Sequence, residues 1–257
     1  MSEAHVVTHL EDRVLTVRFN RADKKNALTG AMYTALAEAF TAANSNPEVR
    51  VVLILGQPDC FTAGNDLADF LAVPPSGPDS PVMRFMRSLA NLEKPVVAGA
   101  SGIAVGVGVT LLLHCDLVYC GEQTKLNMPF SSLGICPEFA SSYLLPRLMG
   151  HARAAELLML GEGFSAKKAL ECGLVNALLP NAEVEATALA KARQIAAMPP
   201  RAIRITKMLL KKWSLATVNE SIDFEAAHFM AMLHEPEARE AISAFMQKRK
   251  PDFSSFN

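Results

Sequence analysis

Three short apolar segments, separated by stretches of helical or turn-rich character, constrain the fold of this chain most strongly. They are residues 50–56 (RVVLILG), 95–100 (PVVAGA) and 116–120 (DLVYC). Each has the length and the β-branched content of a buried strand. Buried strands that alternate with helices are typical of a mainly parallel sheet covered by helices. The sequence therefore predicts an α/β fold.

The N-terminal region predicts a hairpin followed by a helix. The runs VVTHL and VLTVRF alternate in polarity and are joined by EDR, which favours two antiparallel strands. Thr29 can cap a helix in which Met32, Leu36 and Phe40 recur at helical spacing. Further on, residues 72–81 (AVPPSGPDSP) are rich in turn formers and predict a mobile surface loop rather than a domain linker.

Beyond about residue 180 the sequence has only helical periodicity, and Pro199 and Pro200 interrupt it. The many apolar residues of this tail suggest that it packs on something large, such as another subunit. We therefore expect a core with the active site over residues 1–197 and a C-terminal helical oligomerisation region over residues 198–257.

Charge and cysteine usage narrow the range of functions. The 257 residues carry a formal net charge of -1 with both signs interspersed, so neither nucleic acid nor a membrane surface is an expected partner. The five cysteines form no C-x-x-C pair, which indicates reduced thiols and no metal site. The N-terminal residues do not resemble a secretory signal and the C-terminal FSSFN is not an S-K-L address, so we expect a cytoplasmic location.

Glu138 is the one charged residue in the run FSSLGICPEFASSY, residues 130–143. Two interpretations fit it. Proline at the first helical position with glutamate behind it is a standard helix start, which would leave the carboxylate in water. The apolar neighbours favour instead an acid or base in an apolar pocket, since charges seldom occupy such surroundings without a partner or a role. The residues alone leave both interpretations open.

Two glycine-containing turns could supply backbone donors to a ligand. They lie in residues 60–70 (CFTAGNDLADF) and 102–112 (GIAVGVGVTLL), each next to a strand-like segment. Two peptide N–H groups that converge on one point would form an oxyanion hole, although either stretch alone fits an ordinary turn. The chain contains no G-x-S-x-G elbow and no P-loop motif, which disfavours a serine hydrolase or a nucleotide-binding protein.

Taken together, NRADKKNAL, FTAGNDL, KPVVAGASGIAVGVG, HCDLVY, MPFSSLGICPE and ALECGLVNALLP occur in an order that resembles the crotonase superfamily, the enoyl-CoA hydratase/isomerase family, along essentially the whole chain. Within that family the similarity is greatest to peroxisomal-type Δ3,Δ2-enoyl-CoA isomerases. The resemblance implies a crotonase-like spiral of ββα turns and a C-terminal helical region that trimerises, giving a homotrimer or a dimer of trimers. It also implies an acyl-CoA thioester substrate and no separate cofactor, because coenzyme A is part of the substrate.

The resemblance assigns catalysis to Glu138, which would carry a proton from C2 to C4 of the acyl chain. Enoyl-CoA hydratases place two glutamates at the positions that are Thr110 and Phe130 here. Hydration needs one group to activate water and another to deliver a proton, so the loss of both carboxylates argues for isomerisation. Phe130 and Leu133 are expected to keep water away from the enolate.

The oxyanion hole implied by the resemblance consists of the backbone N–H groups of Asn65 and Val107. Lys24 and Lys25 could meet the phosphates of coenzyme A, although two solvated lysines in a loop are the more common explanation for such a pair. The segments around these positions supply the remaining substrate and coenzyme A contacts, which are Ala27, Leu28, Ala63, Gly64, Asp66, Leu67, Gly106, Thr110, Phe130 and Leu133.

Two other functions stay open at this point. The first is enoyl-CoA hydratase or another crotonase-type reaction on an acyl-CoA thioester, for which Thr110 or Asn127 would have to supply a second polar group. The second is a non-catalytic acyl-CoA-binding module. Retention of Glu138 argues against this second function, because binding alone does not require a carboxylate at that position.

Overall fold

A six-stranded sheet lies at the centre of the computed structural model, which describes residues 4–74 and 76–256. The order of its strands is β1-β2-β3-β4-β6-β9, and a smaller sheet has the order β5-β7-β8. Every pair in the large sheet is parallel except β1 with β2. The strands are β1 (Val6–Glu11), β2 (Val14–Phe19), β3 (Val51–Leu55), β4 (Val96–Ala100), β5 (Ile103–Val105), β6 (Leu117–Gly121), β7 (Lys125–Asn127), β8 (Phe164–Ser165) and β9 (Ala177–Leu179).

Helices cover the sheets and extend beyond them towards the C-terminus. They are α1 (Gly30–Ser45), α2 (Leu67–Ala72), α3 (Pro81–Ala90), α4 (Val107–Thr110), α5 (Ser141–Met149), α6 (His151–Leu160), α7 (Ala166–Glu171), α8 (Val184–Ala196), α9 (Pro200–Lys211), α10 (Leu215–Met232) and α11 (Pro236–Met246). The predicted α/β class, with a mainly parallel sheet, is confirmed.

The predicted hairpin and first helix are both present. β1 and β2 pair from Val6 opposite Phe19, and the turn between them places Asp12 and Arg13 at positive φ, as a tight two-residue hairpin requires. Thr29 caps α1 and accepts a hydrogen bond from the Met32 N–H. Each residue of β3 and β4 is buried, which explains why these segments are apolar without alternation.

Successive turns of the chain repeat one pattern, in which a strand of the large sheet is followed by a strand of the small sheet and then by a helix. β4 is followed by β5 and α4, and β6 is followed by β7. After β3, Thr62 forms a parallel bridge with Ala104 of β5 and so extends the small sheet. The spiral of ββα turns is therefore observed. It brings the ends of successive turns to one side of the molecule.

The prediction that a helix begins at Pro137 is wrong. α5 begins at Ser141, because Phe139 and Ala140 have φ values of 59° and 56°, which no α-helix accommodates. The alternative that leaves Glu138 in water is wrong as well, since this residue is only 5% exposed. Glu138 lies in a buried turn instead.

The C-terminal third is helical, as expected, and the break falls where the prolines predict it. α8 ends at Ala196 and α9 begins at Pro200. α8 packs on the large sheet, whereas α9 is tied to it by Lys207, whose Nζ donates to the Lys94 carbonyl at 2.7 Å and to Asp116 at 2.8 Å. The division at residue 197 stays a prediction.

Several apolar side chains of the C-terminal region face outward. Leu210 on α9 is 79% exposed, and Trp213, which follows the end of this helix, is 89% exposed. Met208 and Leu209 of α9 are exposed as well. The expected oligomer would cover such a surface, but it stays a prediction. None of the helices in the described ranges is long and apolar enough to cross a membrane.

Two remaining expectations concern the loop and the cysteines. Residues 73–80 connect α2 to α3, as predicted for the turn-rich segment; its mobility stays a prediction, and Pro75 lies outside the described residues. All five cysteines are free: Cys60, Cys120 and Cys172 are buried, and Cys115 and Cys136 are half-buried.

Gly77 and Gly102 offer a matched test of packing, because both have φ of +77°. A Cβ at position 102 would lie 1.7 Å from the Asp59 carbonyl oxygen, whereas one at position 77 meets none of the described atoms within 4 Å. We expect Gly102→Ala to lower the free energy of unfolding by about 3 kcal/mol or more, and Gly77→Ala by about 1 kcal/mol. Urea denaturation of both variants measures this. Equal losses would contradict the packing of residue 102.

Candidate active site

The Glu138 carboxyl group is buried and has one side-chain partner. Thr110, at the end of α4, donates its hydroxyl hydrogen to Glu138 Oε1 at 2.5 Å. Glu138 Oε2 is buried and accepts no hydrogen bond from any residue in the described ranges. One oxygen of the carboxyl group is thus fixed, and the other is available to a molecule that enters the site.

Burial dominates the electrostatics of this group. It raises the pKa of Glu138 from its ordinary value of 4.5 to about 8, while the hydrogen bond from Thr110 lowers the pKa and the charge of Glu225 raises it. Apolar surroundings raise the pKa of a carboxyl group and a helix N-terminus lowers it. The surroundings prevail because the carboxyl group is desolvated and no helix begins at this residue.

The turn that carries Glu138 is held by side chains from other elements. His114 Nε2 donates to the Phe139 carbonyl oxygen at 2.8 Å, and the two rings stack with centroids 3.9 Å apart. Burial lowers the pKa of His114 to about 3, so the ring is a neutral donor. From α10, Glu225 accepts hydrogen bonds from the Ala140 N–H at 2.6 Å and the Ser142 N–H at 2.9 Å.

An apolar cavity opens next to Glu138. It encloses about 30 Å³, enough for one or two water molecules. Among the described residues that line it, Glu138 is the only carboxylate. The other lining residues are Asn65, Phe70, Val82, Met83, Met86, Phe139, Ile222, Ala226, Phe229 and Met230.

Three of the lining side chains are methionines, on α3 and α10. Methionine is unbranched and flexible, so this wall can rearrange around an apolar chain that the closed cavity is too small to hold.

The two predicted backbone donors lie on adjacent segments. A Cβ at Gly64 would meet the Val105 carbonyl oxygen at 2.7 Å, so the turn that carries Asn65 packs against the backbone just before Val107. Within residues 4–74 and 76–256, neither the Asn65 N–H nor the Val107 N–H donates a hydrogen bond to a protein acceptor. Both groups are therefore available to an oxygen atom of a ligand.

The two segments predicted to contact coenzyme A pair with each other. The Leu28 N–H donates to the Gly64 carbonyl at 2.8 Å, and the Asp66 N–H donates to the Leu28 carbonyl at 2.9 Å. Ala27 and Ala63 are half-buried on this ridge, and Leu67 begins α2. Residues 27–28 and 63–67, which are separated in the chain by α1 and β3, are thus brought together.

Asp66 has a structural function that the sequence did not indicate. Its carboxylate forms an ion pair with Arg21 at 2.6 Å and caps α2 by accepting from the Ala68 and Asp69 N–H groups. The hydrogen bond from Arg21 lowers the pKa of this carboxyl group. Lys24 and Lys25 are exposed nearby, so they remain accessible to an anion.

Some predicted residues do not line the cavity. Phe130 is buried and Leu133 is half-buried, but neither is part of the cavity wall. Gly106 precedes α4 and donates its N–H to the Asn127 carbonyl at 2.8 Å. The Asn127 side chain is not part of the cavity wall either.

Two functional candidates were missed by sequence reasoning. Tyr33 on α1 donates its hydroxyl hydrogen to the Asn65 side chain, and burial together with the charge of Glu138 raises its pKa. Glu225 holds the turn after Glu138. The signal for Glu225 was present: it follows Val218 and Ile222 at helical spacing on an otherwise apolar face.

The chain is similar to known proteins along most of its length. The family model described as enoyl-CoA hydratase/isomerase matches residues 9–256. A solved structure of OdaA from Pseudomonas aeruginosa is 49% identical in sequence, with a TM-score of 0.93 over 95% of this chain and 99% of that one.

Two curated relatives have named activities. A 1,2-epoxyphenylacetyl-CoA isomerase of Escherichia coli (strain K12) is 33% identical over 97% of this chain and 98% of its own length. Enoyl-CoA delta isomerase 2 of Homo sapiens is 34% identical over 82% of this chain and 55% of its own length.

The raised pKa of Glu138 has a consequence for stability. Because the folded pKa of about 8 exceeds the ordinary 4.5, this group favours folding at low pH, and that contribution is lost as the pH rises through both values. The wild-type free energy of unfolding should therefore fall by about 1.4 kcal/mol per pH unit across this window relative to Glu138→Gln. Urea denaturation from pH 4.5 to 9 measures the difference. The exposed Glu171→Gln serves as control, and parallel profiles for wild type and Glu138→Gln would contradict the burial argument.

Proposed function

Because this chain belongs to the enoyl-CoA hydratase/isomerase family, we propose that it is a Δ3,Δ2-enoyl-CoA isomerase that uses Glu138 as its only acid–base group. The substrate is a 3-enoyl thioester of coenzyme A, and the product is the trans-2-enoyl thioester. The proposal rests on one observation above all. Glu138 is the single carboxylate on the wall of an apolar cavity, and its Oε2 is buried without a protein partner in the described ranges.

The reaction follows from this arrangement in two proton transfers. Glu138 Oε2 takes a proton from C2, and the electrons of that C–H bond move into the C1–C2 bond as the thioester oxygen becomes negative. The dienolate then collapses: the oxygen electrons re-form the C1=O bond, the C1=C2 electron pair moves to C2–C3, and the C3=C4 electron pair takes the proton back from Glu138 to form the new C4–H bond. Atoms and charge balance, since the carboxylate is regenerated and no water is consumed.

The developing negative charge on the thioester oxygen needs hydrogen-bond donors. The N–H groups of Asn65 and Val107 are unused by the protein within the described ranges, and their segments pack together through Gly64 and Val105. Donors placed in advance on such an oxygen are worth about 10²- to 10³-fold in rate each. Tyr33 supports this arrangement by fixing the Asn65 side chain.

Isomerisation is favoured over hydration by what surrounds Glu138. Thr110, which occupies one of the hydratase glutamate positions, donates its hydroxyl hydrogen to Glu138. At the other position Phe130 offers no acid–base group. A second group to activate water is therefore missing at both of the positions where a hydratase would carry it.

A binding module without catalysis is disfavoured by the energetics of the site. A carboxyl group with one buried and unbonded oxygen lowers stability whenever it is ionised, and simple binding of an acyl chain would be served better by an apolar residue. Retention of so unfavourable a group is typical of active sites.

The remaining contacts of the substrate follow from the paired segments. Backbone groups around Ala27, Leu28 and Ala63 would meet the coenzyme A moiety, and exposed Lys24 and Lys25 would meet its phosphates. The exposed apolar face of α9 would meet another copy of the chain in the expected trimer.

Replacement of Glu138 tests the proposal directly. Glu138→Gln should lower isomerase kcat by at least about 10³-fold, because the amide cannot accept the C2 proton, while the Kd for a non-reactive acyl-CoA changes little. Two ultraviolet assays provide the measurement. One follows growth of the conjugated thioester band from a 3-enoyl-CoA, and the other follows its loss from a trans-2-enoyl-CoA.

Wild type should be active in the first assay and nearly silent in the second, and the exposed Glu171→Gln should behave like wild type. Fast loss of the band in the second assay would make the protein a hydratase. Silence of wild type in both assays, with intact binding, would support a binding module.

The proposed donor at Asn65 can be tested through its neighbour. Gly64→Ala would place a Cβ 2.7 Å from the Val105 carbonyl oxygen at a φ of +87°, so the turn must shift and carry the Asn65 N–H with it. We expect kcat to fall by about 10²-fold, with a much smaller change in acyl-CoA affinity. Gly77→Ala, which lies in the loop before α3, is the control. An unchanged kcat in folded Gly64→Ala would remove Asn65 from the oxyanion hole.

A further inference from the structure

Glu225 is a second buried carboxylate near the site, and it comes from a distant part of the chain. It lies in α10 on the face formed by Val218, Ile222 and Phe229, and it is 5% exposed. Ile222 and Phe229 line the cavity beside Glu138, but Glu225 itself does not. Its carboxylate points instead at the start of α5.

The carboxylate of Glu225 completes the N-terminus of α5. Ala140, which occupies the N-cap position, provides no side-chain cap. Glu225 accepts from the Ala140 N–H at 2.6 Å, from the Ser142 N–H at 2.9 Å and from the Ser142 hydroxyl. A residue 85 positions further along the chain thus supplies the acceptors that a local Ser, Thr or Asp normally provides.

The backbone that these bonds fix is strained and adjoins the reacting group. Phe139 and Ala140 both adopt positive φ, which costs about 1–2 kcal/mol for each non-glycine residue. Such a conformation persists only where its surroundings determine it. His114 holds the Phe139 carbonyl on one side, and Glu225 holds the Ala140 N–H on the other. Glu138 directly precedes this pair, so its direction depends on both anchors.

We infer that Glu225 is a positioning residue for Glu138: its carboxylate, delivered by α10, fixes the Phe139–Ala140 turn and places a negative charge behind the reacting carboxyl group. This inference rests on the proposed function, because the direction of the Glu138 side chain matters for activity only if Glu138 is the acid–base group. It also makes the docking of α10 a condition for activity.

The charge of Glu225 matters because of the order in which the two carboxyl groups ionise. Burial raises the pKa of Glu225 too, but three donors stabilise its carboxylate whereas one stabilises that of Glu138, so Glu225 is ionised first. Its negative charge then adds to burial in raising the pKa of Glu138. A neutral side chain such as Gln could accept at the helix start without this effect.

The other titratable groups around this turn do not carry a charge when Glu138 ionises. Burial lowers the pKa of His114 to about 3 and raises the pKa of Cys136 to about 11, so both are neutral near pH 8. The pKa of Tyr33 is raised well above its ordinary value of 10.0. Of the titratable groups that influence Glu138, Glu225 is therefore the charged one.

Two substitutions separate position from charge. Glu225→Gln keeps the length of the side chain and removes the charge, and Glu225→Asp keeps the charge and shortens the reach. Glu220→Gln, on the same helix but exposed, is the matched control. Each is assayed as the full chain with a 3-enoyl-CoA over pH 5 to 9.5.

We expect Glu225→Gln to shift the rising limb of kcat/KM against pH downward by about 1 unit, because the charge behind Glu138 is gone. Glu225→Asp should leave that limb near the wild-type pH and lower kcat by about 10-fold or more, with KM nearly unchanged, since the turn is displaced. Glu220→Gln should match wild type in every readout. The inference would be overturned if Glu225→Gln had the kcat of wild type and an unshifted rising limb of kcat/KM against pH. It would also be overturned if the loss of kcat in the variants were fully explained by a smaller fraction of folded protein.

A readout that does not depend on activity distinguishes this inference from the proposed function. The stability difference between wild type and Glu138→Gln stops changing once the pH exceeds the pKa of Glu138 in the folded protein, and the pH at which it levels off is the titration midpoint of that group. In a Glu225→Gln background that midpoint should fall by about 1 unit as well. If wild type lacks isomerase activity, the proposed function fails, but the shift of the midpoint still tests whether Glu225 raises the pKa of Glu138. An unshifted midpoint overturns the inference about Glu225. If Glu225→Gln does not fold, the kcat of Glu225→Asp decides, and a wild-type value overturns the inference.

Discussion

The unfavourable burial of Glu138 is the constraint on which the rest of the site depends. A carboxyl group in an apolar cavity, bonded on one oxygen by Thr110 and on the other by no described residue, favours its neutral form. Such a group stays in place only if the surrounding backbone is determined by stronger interactions elsewhere. The anchors at Phe139 and Ala140, supplied by His114 and Glu225, meet that requirement. The turn that carries Glu138 is thus stabilised by His114 and Glu225, neither of which lines the cavity.

Topology explains how residues far apart in sequence reach one cavity. The turn at Gly64 follows β3 and the bridge at Thr62, α4 follows β4 and β5, and Glu138 follows β6 and β7. Because these strands are parallel, the segments that leave them emerge at the same side of the sheets. Asn65 and Glu138 therefore line one cavity, and Thr110 reaches Glu138, without any local sequence motif that joins them. α10 closes the site from the other direction.

How much of this was predictable follows from the range of each interaction. The strands β1 to β4 and β6, the hairpin, the cap at Thr29 and the glycine turns depend on neighbouring residues, and the sequence indicates them correctly, whereas the short strands β5, β7, β8 and β9 were not predicted. The start of α5 was wrong because Pro137 satisfies the local rule for a helix start, whereas packing of the Phe139 ring on His114 imposes positive φ. Glu225 was missed because its partners lie 85 positions away, even though a charge on an apolar helix face signalled it.

The shifted proton affinity of Glu138 suits the proposed role, in which this group acts first as a base and then as an acid. A base with a pKa near 4.5 would be ionised at neutral pH but too weak to compete for a C2 proton, and it would return that proton readily. A pKa of about 8 makes the carboxylate a stronger base, yet leaves only about one tenth of it ionised at pH 7. Thr110 limits this loss by stabilising the ionised form, while Glu225 increases the basicity. The two neighbours act in opposite directions on one group, and their balance decides whether removal or return of the proton limits the rate.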